Sequence, residues 1–132
     1  MTMFDRWPAF ITMLALLVYV WNFAACGRAR DKFGVKAPAV TGHPQFEARF
    51  RVQQNMLEQL IVFLPSLWLF SLTLSPLVGA ALGLVFVVGR VIYSLGYYTD
   101  PTKRGPGFMI GAVATAVLLI GATIGTIRVM FL

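Results

Sequence analysis

From Trp7 to Gly27 the chain carries no ionisable group other than a tyrosine and a cysteine, and no formal charge. About twenty consecutive apolar residues suffice for an α-helix to cross the hydrocarbon core of a bilayer, so this run predicts a membrane span. Three further stretches repeat the pattern. Leu60–Leu74 is short alone but reaches full length if its helix begins in the polar segment near Phe46, with the first turns at the interface. Leu77–Tyr98 is broken only by Arg90, and Phe108–Ile127 is uncharged up to Arg128. Charged residues make up only 12% of the chain, against about 25% in soluble domains. The expected fold is an all-α integral membrane protein, one domain of four transmembrane helices at about 7–30, 45–74, 77–99 and 106–130. Continuous apolar runs argue against a membrane barrel, whose strands alternate.

Turn signals separate the spans: Ser75-Pro76, Asp100-Pro101 and Gly105-Pro106-Gly107. Only the first connection, about 31–44, is long. Phe23-Ala24-Ala25-Cys26 loosely resembles a lipoprotein cleavage site, but its imperfect residues and the long first run favour a retained helix. Cys26, the single cysteine, reads as a small packing residue and excludes an internal disulfide.

The net charge of +6 is distributed for topology rather than for nucleic acid, and no nucleic-acid partner is expected. Arg28, Arg30, Lys32, Lys36, Arg49 and Arg51 flank the first connection, and Lys103 and Arg104 occupy the third. With four spans these connections share one side, which the positive-inside rule places in the cytoplasm, both termini lying opposite. The same bases can also meet lipid headgroups.

Polar residues in the second and third spans mark a candidate site. Arg51, Asn55 and Glu58 are four and three residues apart and so share one helix face. Pairing of Glu47 with Arg51 and interhelical bonds from Asn55 and Glu58 would explain that stripe structurally. Arg90, Tyr93 and Tyr97 form a second stripe near the same end. Tyrosines there suit an aromatic belt, but an arginine inside a span requires water, an interfacial position or an acid, and Glu58 is the expected partner. Two such stripes under a basic loop describe a pocket for a small polar molecule with several carboxylates and a cationic group, as in glutathione. One histidine, His43, and one cysteine make no convincing zinc cluster, and no metal is expected.

FEARFRVQQNMLEQLIVFLP and GRVIYSLGYYTDPTKR, with TGHPQFE before them, resemble the membrane-associated proteins in eicosanoid and glutathione metabolism, the MAPEG family. The pattern is most similar to the branch of leukotriene C synthase and the third type of microsomal glutathione transferase. The resemblance covers nearly the whole chain. It implies a homotrimer holding glutathione as co-substrate between subunits near the cytoplasmic face. It further implies that Arg30, Arg51, Asn55, Glu58, Tyr93 and Tyr97 bind glutathione, with Arg90 beside them, and that Arg104 holds the thiolate. The expected activity is glutathione transfer to a lipophilic electrophile, with reduction of lipid hydroperoxides as a second activity. A non-enzymatic lipid-binding scaffold of the same family is the alternative. A small cation exporter is disfavoured because Glu58 lies toward a span end among bases. Asp31 and Gln59 stand where eicosanoid-forming members tend to have arginine and tyrosine, departures that bear on the leukotriene reaction rather than on thiol binding. The short chain is expected in a bacterial inner membrane.

Overall fold

The computed structural model describes residues 5–132. Four helices account for most of them: α1 (Arg6–Phe33), α2 (Pro44–Thr73), α3 (Pro76–Thr99) and α4 (Gly105–Phe131), with a 3₁₀ turn, Pro101–Arg104, between α3 and α4. All four are long and apolar enough to cross a membrane, and the chain is a multi-pass integral membrane protein.

Local chemistry sets the helix limits. α1 continues through Arg28, Arg30 and Lys32, past the expected end near residue 30, because these long side chains suit a helix C-terminus, where the dipole favours cations. It ends at Gly34, whose φ of 68° is the left-handed conformation of a helix C-cap. α2 begins at Pro44, which fits the first helical position. His43 caps it by accepting a hydrogen bond at Nδ1 from the Gln45 N–H (3.1 Å), while its ring stacks on Phe33 at 4.0 Å. Ser75 Oγ likewise accepts from the Val78 N–H (3.2 Å) ahead of Pro76 at the start of α3.

The core is a stack of apolar side chains contributed by all four helices, including Ile11, Met56, Phe63, Leu67, Phe86 and Leu118. Phe63 and Phe86 lie face to face with ring centroids 3.7 Å apart. In an apolar solvent, tight packing and interhelical hydrogen bonds replace the hydrophobic effect as the cohesive terms. Fully buried Asn22 of α1 donates through Nδ2 to Ser94 Oγ and to the Tyr98 hydroxyl of α3, both at 3.0 Å, and Trp68 of α2 donates to Thr12 Oγ1 of α1 at 2.9 Å.

Small residues bring α4 against its neighbours. The Gly121 and Gly125 positions of α4 lie directly over Phe70 and over Thr73 and Leu74 of α2, so this small-residue seam closes within the subunit. Between α3 and α4 backbone meets backbone. A methyl group at Gly107 would collide with the Tyr93 backbone, and one at Gly89 would lie 2.8 Å from the Gly111 nitrogen. Gly107→Ala is therefore expected to destabilise the protein by about 1–3 kcal/mol, as overpacking does. Gly27→Ala, with open space around it, should be neutral or stabilising by up to about 1 kcal/mol. Thermal unfolding of both variants in one detergent measures the difference, and equal midpoints would refute the role given to the Gly107 contact.

Candidate functional site

The loop end of the bundle carries the polar residues. On α2 the face bearing Ala48 and Val52 packs against Tyr93 and Tyr97 of α3, which are 4% and 5% exposed and form a small cluster of their own. The tyrosine rings lie 5.6 Å apart. The neighbouring edge of α2 carries the predicted stripe, with Asn55 half-buried beside the tyrosines and Arg51 and Glu58 exposed on the subunit surface.

The 3₁₀ turn delivers Arg104 to this cluster. Asp100 is extended, and its Oδ1 accepts from the Thr102 N–H (3.0 Å) and hydroxyl (2.9 Å). Those two donors hold its carboxyl below the usual carboxylate range. The Lys103 N–H returns to the Asp100 carbonyl at 2.9 Å. Gly96 lets this turn fold onto α3, since a methyl there would lie 2.8 Å from the Lys103 carbonyl oxygen. Arg104 ends up with its guanidinium carbon 5.8 Å from the Tyr97 ring centroid.

A cleft of about 340 Å³ results, lined by Asn55, Tyr93, Arg104, Gly105 and Phe108. It contains an amide, a phenol and a guanidinium, and it opens at the first residue of α4, where the helix dipole is positive. Such a cleft suits an anionic group. Gly105 and Phe108 were not among the residues singled out from the sequence. The Gly105-Pro106-Gly107 turn signal marked the place, but only the packing of α4 on Tyr93 shows that its first turn forms a wall.

The other predicted residues are placed differently. Arg90 is only 1% exposed and lies beneath the site, its guanidinium carbon 4.1 Å from the Tyr93 ring centroid. The expected pair with Glu58 is not made: Glu58 faces outward, and Nε and Nη2 of Arg90 have no hydrogen-bond partner among the described residues. The tyrosine π-face takes the place of the acid, an attraction that strengthens when both groups leave water. The alternative pair of Glu47 with Arg51 is also unmade, because Glu47 instead accepts from the Gly42 N–H at 3.4 Å. Arg30 stands apart from the cleft. Its Nη1 donates to the carbonyls of Ala39 (2.7 Å) and Val35 (3.4 Å), and the guanidinium lies 4.7 Å over Phe46, so it ties the first connection to the helix ends. The structure thus gathers Asn55, Tyr93, Tyr97 and Arg104 at one place, sets Arg90 behind them, and leaves Arg30, Arg51 and Glu58 outside the cleft.

Known proteins are similar to this chain in sequence. Residues 8–124 match the MAPEG family. An uncharacterised protein of Synechocystis, sll1147, is 47% identical over 116 residues, 88% of this chain and 85% of that protein. Human microsomal glutathione S-transferase 2 is 41% identical over 97 residues, 73% of this chain and 66% of the transferase. Guinea pig (Cavia porcellus) leukotriene C4 synthase is 32% identical over 117 residues, 89% of this chain and 78% of the synthase. By the extent of the family match and by these identities, the chain belongs to the MAPEG family.

Proposed function

We propose that the protein is a membrane-bound glutathione transferase that uses Arg104 to stabilise the glutathione thiolate for attack on a lipophilic electrophile, with glutathione peroxidase as a second activity. The observation that carries this reading is the meeting of Arg104, Asn55 and Tyr93 in one cleft at the start of α4.

A free thiol of pKa about 8.5 is only about 3% ionised at pH 7, and the thiolate is the nucleophile. A guanidinium held beside the sulfur, together with the positive end of α4, favours the charged form. Lowering the pKa by about two units, worth roughly 2.7 kcal/mol, would ionise most of the bound thiol at neutral pH without a general base. The sulfur then attacks an electrophilic carbon to form a thioether. The displaced electron pair passes to the leaving group or to the oxygen of an opened ring, which takes up a proton.

Glutathione is longer than the cleft of one subunit can engage with its three polar lining groups, and Arg51 and Glu58 lie exposed along the edge next to it. Their placement, together with exposed Leu57, Ile61 and Leu72 on the same helix, supports assembly as a homotrimer in which glutathione lies along that edge between subunits. In that assembly Arg51 and Arg30 grip carboxylates, Glu58 accepts from the ammonium, and Asn55 and the Tyr93 and Tyr97 hydroxyls complete the polar shell. Arg90 supports the Tyr93 ring from behind. For the second substrate, an apolar groove of about 400 Å³ lies between α3 and α4, lined by residues that include Leu82, Val85, Met109, Ile110 and Val113. It supports entry of an electrophile or lipid hydroperoxide from the bilayer. The concentration of bases at this end supports a cytoplasmic site in a bacterial inner membrane, with both termini opposite.

Glutathione titrated into the detergent-purified protein at pH 7 is expected to give a saturable thiolate absorbance near about 240 nm. In Arg104→Ala the midpoint of ionisation should rise from about pH 6.5 to about pH 8.5, so the signal at pH 7 falls by roughly tenfold or more. No signal from folded wild-type protein would overturn the transferase reading in favour of a lipid-binding scaffold. Arg51→Ala and Glu58→Ala should instead raise the glutathione Kd, by about tenfold or more if each removes a charge-assisted hydrogen bond, with the ionisation midpoint of saturated protein unchanged. Equal loss of binding in all three variants would refute this division of roles. Asp100→Ala, which frees the turn carrying Arg104, should lower the thiolate signal while leaving the glutathione Kd within about threefold.

A further inference from the structure

A second cleft, of about 310 Å³, opens at the same end of the bundle between α1, α2 and α3. Its lining includes Trp21, Ala25, Arg28 and Lys32 of α1, Arg49 of α2 and Tyr98 of α3, and it shares no residue with the cleft around Arg104. We propose that this cleft binds the headgroup of an anionic phospholipid, with the attached acyl chain descending along Trp21 and Ala25.

The spacing along α1 carries the argument. Residues 21, 25, 28 and 32 fall at i, i+4, i+7 and i+11, which is one stripe of a helix. The stripe is apolar at its inner end and basic where α1 approaches the loop, the polarity of a lipid lying with its headgroup at the interface. Arg49 adds a third cation from the facing helix. Its guanidinium carbon lies 5.0 Å from the Tyr98 ring centroid, and Nη1 donates to the Gln45 carbonyl at 3.1 Å. Tyr98 in turn meets Trp21 edge to face at 5.8 Å, so the wall behind the cations is aromatic. No acidic residue lines the cleft, and three like charges brought together favour an anion to offset their repulsion.

Buried hydrogen bonding provides a second, independent pointer. The Tyr98 hydroxyl accepts from Asn22 Nδ2 at 3.0 Å, which leaves its own proton for an acceptor. A phosphate oxygen beside Arg49 and Tyr98 would take that proton as well as the guanidinium donors. Arg28 and Lys32 also sit within a turn or two of the end of a membrane-crossing helix, the depth at which lipid phosphates lie and at which basic residues recognise anionic headgroups. A free phosphate or a glutathione carboxylate offers the same anionic chemistry but makes no use of Trp21 and Ala25.

Native mass spectrometry of the full chain from a neutral detergent tests the assignment, using phosphatidylglycerol and phosphatidylcholine of identical acyl chains. Wild-type protein is expected to retain phosphatidylglycerol at least about tenfold more strongly, since each nearby cation adds about a fivefold preference. Arg28→Gln combined with Lys32→Gln should leave at most the about fivefold preference that Arg49 supplies, Lys32→Gln alone should reduce the preference about fivefold, and Arg128→Gln, at the far end of α4, should leave it intact. Equal retention of the two lipids by wild-type protein would overturn the proposal, as would a preference that the double substitution leaves undiminished. Lys32 is exposed, so the single variant decides the matter if the double one fails to fold. Displacement of the lipid by equimolar glycerol phosphate would reassign the cleft to free phosphate. Displacement by glutathione would make it part of the transferase site, and both outcomes would refute a lipid site. Because the thiolate titration of Arg104 uses a different cleft, either reading can fail while the other stands.

Discussion

The tightest backbone-to-backbone approach between helices, α4 against α3 at Gly107, determines what the rest of the loop end can be. With only hydrogen on that Cα, the start of α4 lies on the Tyr93 backbone, and the turn before it must fold back over Gly96. Arg104 is carried along and comes to rest beside Tyr97. Had α4 stood off by the width of a methyl group, the guanidinium would belong to an ordinary loop. Two positions with no side chain, Gly96 and Gly107, therefore aim Arg104 at the candidate site. The force that holds them is dispersion across closely packed helices, because within a bilayer the hydrophobic effect offers little to choose between protein and lipid neighbours.

The architecture was legible because a bilayer leaves so few choices. Two uncharged runs of span length, one shorter run and one interrupted by Arg90 are all helical, and Ser75-Pro76 marks a boundary with a side-chain cap ahead of a proline, whereas the end of α1 before Gly34 lies past the expected limit near residue 30. The shared face of Tyr93 and Tyr97 followed from helical spacing, whereas their nearness to Asn55 of α2 comes from the packing of α2 on α3. Pairing between helices was less legible. Arg90 and Glu58 look like partners by depth and by charge, yet their rotational positions on α3 and α2 differ, one pointing into the subunit and the other out. Periodicity fixes which residues share a face of one helix, not which face meets which neighbour. Arg30 shows a further limit, since its partners are main-chain carbonyls of the first connection, groups that every residue carries and that sequence does not distinguish.

Arg90 also shows how a cation is accommodated inside a span. Burial deprives it of water, and two of its nitrogens lack hydrogen-bond partners. A stacked phenol ring supplies diffuse negative potential over the flat guanidinium, which no lysine would exploit as well. The same ring forms a wall of the cleft on its other side. Packing and chemistry thus meet in Tyr93, and the stiffness of that wall comes from an interaction that no substrate touches.

Tyr97 and Tyr98 are neighbours in the last turn of α3 with different surroundings, and Tyr98 lines the cleft on the α1 side. Tyr97 backs the guanidinium of Arg104, while Tyr98 is held by Asn22 and covered by Arg49. Successive residues on a helix are separated by about 100° of rotation, so one short segment of backbone carries the ring behind Arg104 in one direction and a wall of the α1-side cleft in the other. The α1 side and the α4 side of the bundle end therefore share one piece of scaffold.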